Sequence, residues 1–570
     1  MNTLKYDIKI LLLIAFSLFV SHFLFLNKFG LYEDDYYNIP PYLNASAGDL
    51  YEVIKVNLTN WLQGRPLSFI PYVFSALGFS VAGIPGLYVI AFLINAINGF
   101  LVFLILKYLF PDLGVFVLSG TLMFCLFPSD TTKTLLIHSF LYQMSVMFFL
   151  TACYLYLKNY KLASYLSVLL CLFSFESMFM LFFAVPFLQK NKSSAFKKNY
   201  LFHSLILVLF LFLSFLYRKL SGETRVEDFS GNIADAVIKS ALSFIAGPFM
   251  NFYLVLRAPA AALKNIDLQM FVIMSVSFVL LFIVFRKLKT AGNNEVKSGI
   301  FSSEFTALKF KFSFTASENV ISLIRLFPAA ILFISLGYVL SFTHFPPTAV
   351  SGRLTSVHIP AAFGVSMLFA LSSGLIMEIL QTQIQKTILK SILCFYFSLL
   401  IGYGLLIQYD FVKSWDVQKN FWTDIIKLCP DMNDNTLIIL ENEKKKLPST
   451  GYILSNSWAD PVVLQRIFRF PAKWKNPPRL FVLNKDFESR TTVINDTLKW
   501  KVPEYTFFSE YETLKDSSLI MLKTDDSGNI YRINEPLMRF KCRDVIIKPA
   551  GMNELNLIEK NKLYDLLIKN

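Results

Sequence analysis

Between residues 8 and 408 the chain is a succession of apolar runs long enough to cross a lipid bilayer, and this feature constrains the fold more than any motif does. The runs cover residues 8–26, 84–106, 113–127, 135–157, 162–188, 201–217, 268–285, 320–342, 355–376 and 388–408. A spanning helix needs about 20 mostly apolar residues. Composition agrees: 55% of the 570 residues are hydrophobic, 59 are Phe, and only 16% are charged, against about 25% in ordinary soluble domains. A soluble enzyme, a disordered chain and a fibrous protein are excluded on these grounds. The net charge of +14 points to Lys/Arg-rich cytoplasmic loops and not to nucleic acid.

The placement of those cations predicts an orientation. The first run follows Lys5 and Lys9 and lacks a small-residue cleavage site, so it reads as a retained span with a cytoplasmic N-terminus. Lys107 and the turn at 158–161 then fall inside. Lys190, Lys192, Lys197 and Lys198 also fall inside only if residues 162–188 cross twice, with Glu176 at the outer turn. A carboxylate at mid-bilayer costs about 2.5–3.5 kcal/mol, which the double crossing avoids. The basic stretch 286–311, Lys386 and Lys390 follow on the inside. The expected architecture is an all-α polytopic bundle of about eleven transmembrane helices. Residues 1–408 form the membrane domain, with a first outer loop at 27–83, and residues 409–570 form a small α/β domain outside the cytoplasm.

The tail reads differently from the rest. Residues 437–440, 452–454, 480–483, 519–522 and 530–533 are strand-like, Asp525-Asp526-Ser527-Gly528 is a turn signal, and 462–470 reads as a helix. Cys125, Cys153, Cys171 and Cys394 lie in apolar runs, whereas Cys429 and Cys542 could pair in an oxidising compartment.

Chemistry concentrates in the first outer loop. Glu33-Asp34-Asp35 stand a few residues past the first span. Mutual repulsion and partial burial raise a carboxylate's pKa, which suits one of them to general-base work. The same loop reads Trp61-Leu62-Gln63-Gly64-Arg65-Pro66-Leu67-Ser68, and Arg65 offers a planar fork for a phosphate. Arg353, Arg218 and Arg257 are further phosphate candidates on the same side, while Lys219 and Lys264 read as interfacial anchors. Glu176 could hold an acceptor or a metal, or pair with an arginine of the bundle. The ordinary alternatives are a solvated acidic patch and a snorkelling Arg65. His22, His138, His203, His344 and His358 show no metal or triad spacing. No other cofactor signal is present, and the acidic motif is the one candidate place for a divalent cation.

At these residues the chain resembles the GT-C superfamily of membrane glycosyltransferases, and within it the bacterial O-antigen glucosyltransferases. Their first loop carries an Asp pair followed by Asn/Gln-Gly-Arg-Pro-Leu, matched here by Asp34-Asp35 and Gln63-Gly64-Arg65-Pro66-Leu67. One departure is that Tyr36, Tyr37 and Asn38 follow the Asp pair, where the family often has a basic residue. The resemblance implies a multi-pass inner-membrane enzyme that moves a sugar from a polyprenyl phosphate to a hydroxyl of a surface or lipid-linked glycan. Asp34, then Asp35 and Glu33, would supply the base, and the arginines would hold the phosphate. The absence of a Gly-rich phosphate loop suits a lipid-phosphate donor. A transporter or lipid flippase is the alternative, although no paired halves are seen. A glycan polymerase or ligase is another, although its large outer loop tends to lie between late spans.

Overall fold

The computed structural model describes residues 2–60, 64–189, 196–220, 233–288, 298–305, 310–341, 345–441, 460–483, 485–494, 497–501, 511–515, 519–525, 529–534, 537–540, 543–546, 551, 555 and 558–569. Trp61, Leu62, Gln63, Arg225, His344, the strand expected at 452–454, Asp526–Gly528 of the turn and Cys542 lie outside the described residues.

Among the described residues, eight helices are long and apolar enough to cross a membrane, and three shorter apolar helices accompany them. The helices in chain order are α1 (Asn2–His22), α2 (Asp35–Asn38), α3 (Ala47–Asn60), α4 (Ile70–Leu109), α5 (Gly114–Cys125), α6 (Gln143–Leu157), α7 (Lys161–Ser174), α8 (Glu176–Phe179), α9 (Phe196–Leu220), α10 (Ile233–Lys264), α11 (Leu268–Lys287), α12 (Glu318–Leu336), α13 (Ala362–Ile379) and α14 (Gln383–Leu428). Their inner faces form one apolar core. The outward faces of α9, α10 and α11 carry large exposed apolar side chains such as Phe202, Phe249 and Leu268, the composition a lipid-facing surface needs.

Three details differ from the sequence reading or sharpen it. The stretch 27–83 is expected to be a loop, but residues 70–81 are helical and belong to the first part of α4. The chain reverses at Ala82 and Gly83, where Gly83 has φ +62°, so this part folds back on the helix that follows. The hairpin closes tightly: a Cβ on Gly86 would stand 2.0 Å from the carbonyl oxygen of Gly78. The run 162–188 is broken at Phe175, whose backbone is extended, between α7 and α8. Finally, the last apolar run ends at 408 but its helix does not. α14 continues without a break for 46 residues to Leu428, roughly 69 Å at 1.5 Å per residue.

Beyond α14 stands the α/β domain. Strand β1 (Leu437–Glu441) lies between β2 (Arg479–Val482) and β3 (Leu519–Thr524), and both pairings are parallel. A fourth strand, Ile530–Arg532, adds antiparallel to β3. All four described strand expectations fall on this sheet. Helix α15 (Asp460–Ile467) packs on it. The domain is tied to α14 by Arg532, which donates to the Leu428 carbonyl at 3.2 Å and to both oxygens of Asp431, just past the helix, at 2.6 and 3.1 Å.

The two ends of the bundle differ chemically. One end gathers the first loop, residues 126–137, the Phe175 break and residues 337–361, as the contacts below establish. The other end carries Lys107 paired with Asp7, Lys158 over Tyr108, and Lys390 donating to the Leu288 carbonyl.

Candidate functional site

The acidic triplet does not act as a unit, because its members face different partners. Glu33 adopts left-handed backbone with φ +50°, which turns the chain into α2. Asp35 is fully buried. Its carboxylate accepts the N–H groups of Tyr32 at 3.2 Å, Leu136 at 3.3 Å and Ile137 at 2.9 Å. Burial pushes its pKa up to about 8, and these three amides oppose that shift. Asp35 is therefore a buried strut between the first loop and residues 126–137. Asp34 turns the other way, and its Oδ2 meets Nη2 of Arg353 at 2.9 Å. Its side chain is 14% exposed and that of Arg353 30%, so this pair, like Glu33, is partly open where Asp35 is not.

Arg353 is held by a turn that sequence spacing does not reveal. Gly352 has φ +73°, and its carbonyl accepts the hydroxyls of Thr131 at 3.3 Å and Thr355 at 2.7 Å. Thr131 also donates its backbone N–H to the Thr355 hydroxyl at 3.1 Å. Arg257 donates to the Val350 carbonyl at 3.1 Å, so it braces the segment leading into Arg353. Residues 126–137 thus hold the sequence neighbours of both members of the Asp34–Arg353 pair, Leu136 and Ile137 gripping Asp35 and Thr131 gripping Gly352. Tyr88 adds a third tie, donating to Gly30 at 2.8 Å and Thr134 at 3.1 Å.

Arg65 is committed to a carboxylate. Its Nε and Nη2 reach the two oxygens of Glu176 at 3.0 and 2.9 Å, and its guanidinium lies 4.4 Å from the Phe175 ring centroid. Glu176 therefore takes the arginine-pairing role among its alternatives. Arg218 joins this pair, donating to the Gly64 carbonyl at 3.0 Å and standing 3.7 Å from Glu176. Gly64 has φ +65°, and a Cβ there would come within 2.2 Å of Arg218 Nε. Only glycine fits this backbone and this neighbour together.

Tyr142 packs its ring on Phe175 with centroids 4.1 Å apart, and the Arg65 guanidinium lies over that same Phe175 ring. Arg65, Arg218 and Glu176 thus gather beside this aromatic pair. Thr131, Tyr142 and Phe175 are missed by the sequence reading. The only signal for them was polar or aromatic character at the edges of apolar runs. Among the described residues no three His, Cys, Asp or Glu side chains gather as a metal site. Since Asp34 is paired with Arg353 and Asp35 with backbone amides, the acidic motif does not present converging ligands for a divalent cation. Comparison with protein-family models, with curated proteins and with solved structures gives no match.

Proposed function

We propose that this membrane protein is a glycosyltransferase of the GT-C type that takes a sugar from a polyprenyl-phosphate donor and places it on a glycan hydroxyl at the outer face of a cell membrane. The observation that carries the reading is the Asp34–Arg353 contact of 2.9 Å. The residue we assign as base and the one we assign to phosphate stand side by side there, where the first loop meets residues 351–355. A lipid donor would bring its phosphate to this pair with its chain in the bilayer.

The pair suggests how donor binding prepares the base. The donor phosphate competes with Asp34 for the Arg353 guanidinium, which binds phosphate by two parallel N–H bonds. Asp34 is thereby released. It accepts the proton of the acceptor hydroxyl as that oxygen bonds to the anomeric carbon. The bond from the anomeric carbon to the phosphate oxygen breaks, and the electron pair leaves with the lipid phosphate. Arg353 stabilises the charge growing there. No nucleotide-binding element is needed, because the leaving group arrives as a lipid phosphate.

The test is release of polyprenyl phosphate from polyprenyl-phosphate glucose by the purified chain in nanodiscs, with glycan from the host envelope as acceptor. Asp34→Asn is expected to slow release by about 10²–10⁴-fold, the usual loss on removing a general base. Wild-type turnover by Asp34→Asn, with the protein still accumulating in the membrane, overturns the reading.

A further inference from the structure

The transfer chemistry leaves unused the seam between the tail domain and the first loop. Helix α15 brings Arg466 onto α2, where its Nη2 donates to the Tyr37 carbonyl at 3.4 Å and its guanidinium lies 5.7 Å from the Tyr37 ring centroid. Asn38, next in sequence to Tyr37, accepts from Tyr72, whose ring meets that of Tyr42. Those two rings stack with centroids 4.3 Å apart and planes 25° from parallel. All three tyrosines are only partly buried.

Two donors here are unsatisfied. Arg466 Nε and, beside it in sequence, Gln465 Nε2 are buried with no acceptor among the described residues. A buried N–H left without an acceptor costs about 1–3 kcal/mol. The seam is also wired to the base. Tyr72 donates to Asn38 Oδ1 at 3.5 Å, and Asn38 Nδ2 donates to the Asp34 carbonyl at 2.8 Å.

Partly exposed aromatic rings beside an arginine match one class of guest. A pyranose presents an apolar C–H face to an aromatic ring and a rim of hydroxyl oxygens to N–H groups. We propose that the seam formed by Tyr37, Tyr42, Tyr72 and Arg466 is a saccharide-binding subsite that holds acceptor sugar units beyond the one that reacts at Asp34. This assignment rests on the transferase reading for its purpose, but its binding test does not.

The test is saturation-transfer NMR on the full chain in nanodiscs, with maltotetraose, cellotetraose, chitotetraose and a rhamnose-containing O-antigen oligosaccharide as probes. At least one probe is expected to receive saturation from the protein, and Tyr42→Ala and Arg466→Ala are each expected to weaken its binding about tenfold, or roughly 1.4 kcal/mol. Tyr42→Trp keeps a stacking face and is expected to restore binding. If Arg466→Ala fails to fold, the Tyr42→Ala and Tyr42→Trp comparison decides alone. Absence of binding by every probe to the wild type overturns the proposal, as does unchanged binding in the folded seam variants, which would leave Arg466 a purely structural link. Saccharide binding that needs Tyr42, in a protein that releases no polyprenyl phosphate, would sink the transferase reading and leave the subsite standing. Donor turnover with seam-independent binding would do the reverse.

Discussion

Asp34 and Asp35 are neighbours with opposite environments, and exchanging either for Asn separates their roles. Asp34→Asn removes the proposed base and is expected to leave the fold intact. Above about pH 8, where the carboxylate is ionised, Asp35→Asn puts an amide NH₂ against backbone N–H donors that need an acceptor, at about 1–3 kcal/mol for each donor left orphaned. Its expected phenotype is a lowered melting temperature and poor accumulation, read by thermal unfolding in detergent. Asp35 also predicts a pH signature. Its folded-state pKa is raised from the ordinary 3.8 to about 8, so the folded state holds this proton more tightly than the unfolded chain does. Stability from this group is full below pH 4 and is lost as pH rises through about 8. Wild-type melting temperature should therefore fall between pH 5 and pH 8, and the Asp35→Asn variant should lack that slope. Arg65 belongs to the same scale. Its fork is filled by Glu176, so Arg65→Lys should lose one of two bonds and destabilise the Phe175 break, while Arg353→Lys should impair donor turnover without that loss of stability. Equal melting temperatures for the two Lys variants would contradict this division.

At the scale of elements, residues 126–137 form the joint of the site. They lie between two apolar runs and read from sequence as a plain connector. In the fold, their amides grip Asp35 and their Thr131 hydroxyl grips the Gly352 turn that carries Arg353. Thr131→Val keeps the volume and removes the hydroxyl. Its expected effect is a higher KM for the polyprenyl-phosphate donor, with a smaller change in melting temperature than Asp35→Asn, measured by donor titration of the two variants side by side. Gly64 is the second element-level case. Gly64→Ala would strain a left-handed backbone and drive a methyl into Arg218, and it should lower stability about as much as Arg218→Ala does, by roughly 1–3 kcal/mol. The sequence reading singled out Gln63-Gly64-Arg65-Pro66-Leu67 but assigned Arg65 to phosphate. The bidentate claim of Glu176 on it was invisible because Arg65, in the connector before α4, and Glu176, at the start of α8, lie 111 residues apart in sequence.

For the whole molecule, chemical asymmetry sets the orientation to be tested. The end with Lys107, Lys158 and Lys390 should face the cytoplasm, and the end with the site and the α/β domain should face outward. Reporter fusions after Lys198 and at the C-terminus should give opposite signals, and a cytoplasmic C-terminus would displace the site from the donor's side. The sequence by itself determined that the chain is built for a membrane, that a small α/β domain follows, and which loop is acidic, because apolar length, strand alternation and charge are local properties. It also marked the break at Phe175, because a lone carboxylate in an apolar run is costly wherever the run folds. Tertiary structure alone decided that Asp34 meets Arg353, that Asp35 is a strut, that Arg65 belongs to Glu176 and that Arg466 reaches Tyr37. Each of these pairs joins distant parts of the chain. Their partners were selected by the way the helices pack, and no spacing along the sequence records that.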